Sequence, residues 1–129
     1  VCSAGSLSYG DNQIVMNEVN RVLKPGGKLI MVDSLHENPL YIINRWMGYF
    51  RGTRSLSTIK RMPTLKLIYR YKEKFNIEEL LFFGSLTWLS PFLSLFFSER
   101  LVTRIIDKFD ILINVKRSAF KFVAVFYKK

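Results

Sequence analysis

Apolar and polar positions in the first third of the chain follow the pattern of a β-α-β unit. Residues 1–7 are small or apolar and suit the end of a buried strand. Asp11 is placed to cap a helix, and Gly26 and Gly27 give the backbone freedom for a sharp turn after it. The continuous apolar run at residues 29–32 predicts a strand covered on both faces, as in parallel sheets. The helix has apolar residues at helical spacing on one face: Val15, Val19, Val22 and Leu23.

The same patterns predict the elements that follow. Helices are expected over residues 39–50, 65–74, 91–97 and 99–112, with a loop around residues 52–57. Strands are expected over residues 80–86 and 120–127, the latter a β-branched and aromatic run. The helix at residues 99–112 is amphipathic and carries these apolar residues at helical spacing: Leu101, Val102, Ile105, Ile106 and Phe109.

Residues 80–97 contain no charged side chain, and eighteen residues reach the lower limit for crossing a bilayer. Small or helix-breaking residues interrupt the run: Gly84, Ser85, Thr87, Ser90 and Pro91. Because Pro91 would break or kink a helix, a buried strand followed by a short apolar helix fits the run better than a spanning helix. We therefore expect a peripheral contact with a membrane surface through residues 80–97.

Composition restricts the classes of protein and partner. The 129 residues, 49% of them hydrophobic, fit one small domain with a packed core. A formal charge of +10, from 20 Lys and Arg against 10 Asp and Glu, implies attraction to phosphates, anionic lipids or nucleic acid. A single cysteine, Cys2, excludes an internal disulfide and is compatible with the cytoplasm. The N-terminal residues lack the basic leader and apolar core of a signal peptide.

The stretch RVLKPGGKLIMVD at residues 21–33, with Glu18 three residues before Arg21, gives the sequence its family resemblance. Residues 1–34 resemble the second half of a class I S-adenosylmethionine-dependent methyltransferase of the type 11-like group. By this resemblance, residues 1–7 and 29–32 are the fourth and fifth strands. Residues 80–86 and 120–127 are then the sixth and seventh strands, the last inserted antiparallel. The implied fold is α/β: a partial Rossmann-like doubly wound sheet with helical insertions.

The resemblance also implies a domain organisation. Residues 1–129 would be the C-terminal part of a single methyltransferase domain, and residues 38–75 a basic helical insertion on the acceptor side. The family binds its cofactor through a glycine-rich loop after the first strand, but the sequence contains no Gly-x-Gly pattern. A start in mid-strand at Val1 agrees with an absent N-terminal, cofactor-binding half. The chain alone is therefore expected not to catalyse methyl transfer.

Cofactor contacts are expected where the first strand ends. A doubly wound sheet binds its ligand outside the carboxyl ends of its strands, and the Lys-Pro-Gly-Gly turn belongs at the opposite end, as a connector. The resemblance implies S-adenosylmethionine as cofactor and assigns these small residues to it: Ser3, Ala4, Gly5, Ser6 and Leu7. Small residues let backbone approach a ligand closely, although a simple strand end with a turn is the alternative interpretation. No zinc pattern or other metal site is predicted.

Acceptor contacts are implied after the fifth strand and in the insertion: Asp33, Ser34, Asn38, Tyr41, Arg45, Arg51 and Arg54. His36, the only histidine, is the candidate catalytic base that removes a proton from an attacking hydroxyl; a solvated side chain is the alternative. Arginine suits bidentate contact with phosphate or carboxylate, and Lys60 and Arg61 extend the basic set. The expected acceptor is a small molecule, such as a glycan or lipid-linked intermediate of the cell envelope. A solvated basic face is equally compatible.

Two other classes of function stay open. Basic residues interleaved with aromatic ones in residues 38–75 are compatible with nucleic-acid binding, but no recognition-helix, RNP or zinc pattern accompanies them. A membrane-associated, non-enzymatic protein would also explain residues 80–97. The residues favour a cytoplasmic methyltransferase, peripheral to the inner membrane.

Overall fold

The computed structural model describes residues 1–112 and 116–129. It contains four strands: β1 (Cys2–Ala4), β2 (Lys28–Ser34), β3 (Phe75–Phe83) and β4 (Lys121–Lys128). The helices are α1 (Asn12–Val22), α2 (Pro39–Phe50), α3 (Leu56–Lys60), α4 (Leu65–Arg70), α5 (Ser90–Leu93) and α6 (Glu99–Leu112). Short 3-10 turns lie at Tyr71–Glu73, Thr87–Leu89 and Lys116–Ser118.

The strands form one mixed sheet in the order β1-β2-β4-β3. β1 pairs parallel with β2, placing Ser3 opposite Met31. β4 is antiparallel to both neighbours, with Ala124 opposite Met31 on one side and Leu80 on the other. The chain is therefore of the α/β class, and the prediction that its last strand is antiparallel is confirmed.

The segment between β1 and β2 forms as its sequence predicts. The Asp11 carboxylate accepts hydrogen bonds from the backbone N–H groups of Gln13 and Ile14, 2.9 and 3.1 Å away, and so caps α1. The turn that follows requires glycine: Gly26 has a φ of +72°, and a Cβ on Gly27 would lie 2.8 Å from a backbone oxygen. This turn lies at the amino end of β2, opposite the strand ends that carry the candidate site.

The core lies on one face of the sheet, against α1 and α4. Met16 and Ile68 supply the helical contacts, and Phe126 on β4 lies 5.4 Å, centroid to centroid, from the Tyr71 ring. Burial raises the pKa of Tyr71 to about 12, because the neutral phenol is favoured away from water. The sheet residues of this core are Leu29, Met31, Phe75, Phe82, Phe122, Ala124 and Phe126. On α1, the predicted apolar position Val22 is exposed, and Met16 is the helix's fully buried residue instead.

The opposite face of the sheet is open, so the prediction that β2 is covered on both faces is wrong. Ile30 and Val32 are each 37% exposed, while the alternate residues of β2 are buried. The paired register places both side chains on the same face as Leu81 of β3. β1 was expected to be buried too, but Cys2 and Ala4 are exposed. A continuous apolar run therefore does not distinguish burial on one face from burial on two.

Several predicted boundaries differ from the structure. The strand expected over residues 80–86 is β3, which begins at Phe75 and ends at Phe83, because Gly84 turns the chain with a φ of +75°. The helix expected over residues 65–74 ends at Arg70, and α5 is shorter than the expected helix over residues 91–97. α3 was not predicted; the Ser55 hydroxyl caps it by accepting from Thr58 N–H. The bounds of α2 and α6 match those expected.

One carboxylate joins α6 to the sheet. Asp110 accepts hydrogen bonds from three consecutive backbone N–H groups that follow β3, those of Gly84, Ser85 and Leu86. Val102 and Ile106 are buried on the same helix. None of the described helices combines the length and the apolar character needed to cross a membrane.

Candidate functional site at the carboxyl edge of the sheet

Three strands end at one edge of the sheet. β1 and β2 are parallel, and β3 runs in the same direction because both β2 and β3 are antiparallel to β4. The loops at residues 5–9, 35–38 and 84–86 therefore lie at the same edge. This edge carries the residues that the sequence assigns to cofactor and acceptor.

The loop predicted to contact the cofactor is small and open. Gly5 has a φ of +63°, donates its N–H to Val32 O at 2.8 Å, and would meet no atom within 4 Å if it carried a Cβ. Ala4 and Ser6 are exposed, and the Ser6 hydroxyl lies 2.7 Å from that of Ser3. A ligand can therefore approach the backbone of this loop. Leu7 differs from the other four assigned residues, because its side chain is buried in the core.

Asp33 connects the two loops that end β1 and β2. Its Oδ2 accepts from the backbone N–H of Leu7 at 2.9 Å, and its Oδ1 from that of Ser34 at 2.7 Å. The residue is 6% exposed. Asp33, a predicted acceptor residue, is thus placed to fix the loop after β1, while the neighbouring Ser34 side chain is half-buried.

Asn38 and Tyr41 hold α2 against the same edge. The Asn38 side chain caps α2 through Leu40 N–H at 2.9 Å and donates to Ser118 O at 3.0 Å. The Tyr41 hydroxyl donates to Gly84 O at 3.1 Å. Because these polar groups bind other parts of the protein, both residues position α2 on the sheet.

Arg45 and His36 form the most unusual pair at this edge. Arg45 is 4% exposed, and its Nη1 donates to Leu35 O at 2.9 Å and lies 3.3 Å from His36 Nδ1. Its Nη2 is buried and has no hydrogen-bond partner in the described part of the chain. Burial, with the nearby Arg54 charge, lowers the pKa of Arg45 to about 10. A buried donor without an acceptor is energetically costly.

The Arg45 contact determines the tautomer of His36. A guanidinium can only donate, so His36 Nδ1 accepts and the neutral ring carries its proton on Nε2. Burial, followed by the positive charge of Arg45, lowers the pKa of His36. In this arrangement the other ring nitrogen, Nε2, is a hydrogen-bond donor. The catalytic-base role stays a prediction, and it requires His36 Nδ1 to leave Arg45.

We expect His36 to make stability fall on acidification. Its folded-state pKa lies below the unfolded value of about 6.5, so the unfolded chain binds the proton first as the pH falls through that value. Urea unfolding at several pH values would measure this loss, and His36→Gln should reduce it. An Arg45→Met variant should raise the pKa of His36, as read by NMR titration. Equal pH slopes for the wild type and His36→Gln would contradict the assignment.

The predicted residues Arg51 and Arg54 have exposed side chains, whereas Arg45 is buried. Arg54 lines a depression of about 480 Å³ together with Tyr9, Thr53, Ser55 and Thr58. Beside it, an open basic groove of about 410 Å³ runs between the start of α1 and the α3–α4 segment. Its cationic side chains are Lys60, Arg61, Lys66 and Arg70.

Hydrogen bonds join the basic groove to the carboxyl-edge loops. Asn12 Nδ2 donates to Arg61 O at 2.8 Å, and the Arg61 guanidinium donates to Tyr9 O at 3.4 Å. Arg70 donates to Gln13 Oε1 at 2.7 Å. Asn12 Oδ1 is buried without a partner in the described residues. The sequence prediction missed Asn12, Lys66 and Arg70; the spacing of Lys66 and Arg70, four residues apart on one helix, was the available signal.

Comparison with known proteins finds a similar structure but no similar sequence. No family model and no curated protein matches this sequence. Among solved structures, the crystal structure of MccD protein superposes with a TM-score of 0.50 at 14% identity, over 99% of this chain and 60% of that one. The likeness is one of fold. The chain thus corresponds to 60% of the length of that structure.

Within the described residues, no group of three or more His, Cys, Asp or Glu side chains is placed to hold a metal ion.

Proposed function

We propose that this chain provides the acceptor side of an S-adenosylmethionine-dependent methyltransferase that acts on a small molecule. The observation that carries the proposal is the sheet order, in which β4 is inserted antiparallel between β2 and β3. The resemblance of residues 1–34 implies a last strand inserted antiparallel, and the elements follow in the order that it implies. We also propose that the four strands are part of a Rossmann-like doubly wound sheet.

The loop after β1 fits contact with the cofactor at the rim of its site. Ala4, Gly5 and Ser6 would hold it, because they are small, exposed and backbone-accessible. When bound, S-adenosylmethionine supplies an electrophilic methyl group. Asp33 contributes by holding the loop through the Leu7 N–H. The sequence contains no Gly-x-Gly pattern, so these residues account for a rim only.

His36 and Arg45 are proposed to orient the acceptor. In-line displacement depends mainly on alignment of the nucleophile with the methyl carbon. His36 carries a donor, Nε2–H, at this edge, and the Arg45 guanidinium holds His36 in that tautomer. Nε2–H can bind an oxygen atom of an acceptor next to its reacting group.

The basic groove favours an acceptor that carries phosphate and hydroxyl groups. Lys60, Arg61, Lys66 and Arg70 supply the positive charge. The polar side chains of Gln13 and Thr64, which line the same groove, can bind sugar hydroxyls. A phosphorylated or lipid-linked glycan has both features, and this agrees with the cell-envelope intermediate expected from the sequence.

The complete natural gene product that contains this sequence, incubated with methyl-labelled S-adenosylmethionine and a cell-envelope extract, tests the proposal. We expect a labelled, phosphatase-sensitive product. The Lys60→Glu/Arg61→Glu variant should raise the acceptor KM roughly tenfold or more, since each charged hydrogen bond contributes about 1.5–3 kcal/mol. Lys24→Glu, in the turn at the far end of the sheet, is the matched control and should leave the KM unchanged.

Three outcomes of this assay would count against the proposal. Absence of both cofactor binding and labelled product would refute methyl transfer. A nuclease-sensitive product would show that the acceptor bound by the basic groove is a nucleic acid. Equal KM values for the groove variant and the Lys24→Glu control would show that the basic groove does not bind the acceptor.

A further inference from the structure

Large apolar side chains project into solvent from the α5–α6 region. Leu95 and Phe96 are 77% and 81% exposed, and they lie between the two helices rather than in a concave groove. We call the following set the apolar ridge: Phe92, Leu95, Phe96, Phe97, Leu101, Phe109 and Leu112. Such a cluster on one segment is more than the scattered apolar residues of an ordinary surface.

The arrangement of α6 places positive charge directly beside the ridge. Successive rows of this helix are offset by one residue, or about 100°. The exposed apolar row contains Leu101 and Phe109, and the row after it contains the buried Val102 and Ile106. The row before it contains Arg100, Arg104 and Lys108, and it ends at the exposed Leu112. The row before the basic one contains Glu99, Thr103 and Asp107, so it borders the basic row on the side opposite the apolar row.

The basic row is available to an external partner. Within residues 1–112 and 116–129, the salt bridges join Arg21 to Glu18 and Lys28 to Glu78, so no cation of this row is in an ion pair. Lys116 and Arg117 extend the positive charge just after α6 and are also exposed. An apolar surface bordered by unpaired cations is the pattern of a helix that lies in a membrane interface.

We propose that α6 and the ridge dock on the surface of a bilayer that contains anionic lipids. The apolar side chains insert below the headgroups, and Arg100, Arg104 and Lys108 bind the lipid phosphates. A second copy of the chain fits this surface poorly, because two basic rows would face each other in a protein of charge +10. The contact lies at residues 92–112, later than the expected residues 80–97, since Phe75–Phe83 is a strand of the sheet.

Sedimentation of the full chain with vesicles tests the docking. We expect binding to vesicles of phosphatidylglycerol and phosphatidylcholine, weak binding to phosphatidylcholine alone, and release by high salt. Leu95→Asp/Phe96→Asp should lower the partition coefficient roughly tenfold or more, because two apolar side chains no longer enter the bilayer. Ile14→Asp/Val22→Asp, which places two charges at exposed apolar positions of α1, is the matched control and should bind as the wild type does.

A charge variant and a solution measurement complete the test. Arg104→Glu/Lys108→Glu should lose roughly tenfold or more in binding to the anionic vesicles, and circular dichroism should show that every variant keeps its fold. Equal binding to neutral vesicles, or full binding by Leu95→Asp/Phe96→Asp, would overturn the proposal. If light scattering shows a dimer of the wild type and a monomer of Leu95→Asp/Phe96→Asp, the ridge binds a second copy of the chain instead of a membrane. No readout involves the cofactor, so the result is independent of methyl transfer.

Discussion

Replacing Phe126 by alanine should lower the free energy of unfolding by about 3–5 kcal/mol. The side chain is fully buried on the central strand β4, and its ring lies 5.4 Å from that of Tyr71 and 6.2 Å from that of Phe75. Truncation removes apolar area from the core and leaves a cavity between two rings. Urea unfolding, followed by far-UV circular dichroism, would measure the change.

Phe83→Ala is the matched control, because it makes the same substitution on the open face of the same sheet. Phe83 is 47% exposed, so its truncation should cost less than about 1 kcal/mol. A cost equal to that of Phe126→Ala would show that another surface covers the open face in solution. The pair of variants therefore tests the one-sided core as well as the energy of one side chain.

Asp110→Ala should lower the free energy of unfolding by about 2–3 kcal/mol, mainly by releasing α6 from the sheet. The substitution leaves the N–H groups of Gly84, Ser85 and Leu86 without their carboxylate acceptor. Hydrogen exchange should rise at these three amides and along α6 before the rest of the sheet is affected. Chemical denaturation gives the magnitude of the change.

Asp107→Ala removes the same charge from an exposed position of the same helix. Its effect should stay within about 0.5 kcal/mol, as is usual for surface substitutions. If the two variants are equally stable, the Asp110 carboxylate does not hold α6 to the end of β3. A global loss of amide protection in Asp110→Ala, without prior exchange in α6, would contradict the local release.

Local signals in the sequence predicted a large part of the fold. A capping aspartate, a double-glycine turn and an apolar run define the first β-α-β segment, and helical spacing gave the bounds of α2 and α6. The start of β3 could not be predicted, because Phe75 to Glu79 mixes apolar with charged residues, and the strand is selected by pairing with the distant β4. Whether one face or both faces of the sheet are covered also depends on which helices pack against it. The local pattern of apolar residues in a strand does not predict that packing.

The candidate site was predicted by position better than by role. Residues 3–7 and 33–38 come together at one edge, as parallel strands require. The side chains of Asp33 and Asn38 accept hydrogen bonds from backbone N–H groups, which residue type and position did not indicate, and their acceptor contacts stay predictions. The bond between Arg45 and His36 is set by the packing of α2 against the end of β2. Lys66 and Arg70 join the basic groove because α4 packs near the start of α1, a contact across more than fifty residues.

The position of β4 in the sheet also has a consequence for synthesis on the ribosome. β2 and β3 are neighbours of β4 and do not pair with each other, although β4 is translated after both. Until residues 121–128 leave the exit tunnel, β2 and β3 each lack a partner along the edge that β4 will fill. An apolar strand with an unpaired edge is prone to intermolecular pairing. The nascent chain should therefore depend on chaperone protection late in its translation, and codon changes that slow synthesis just before residue 121 should increase aggregation.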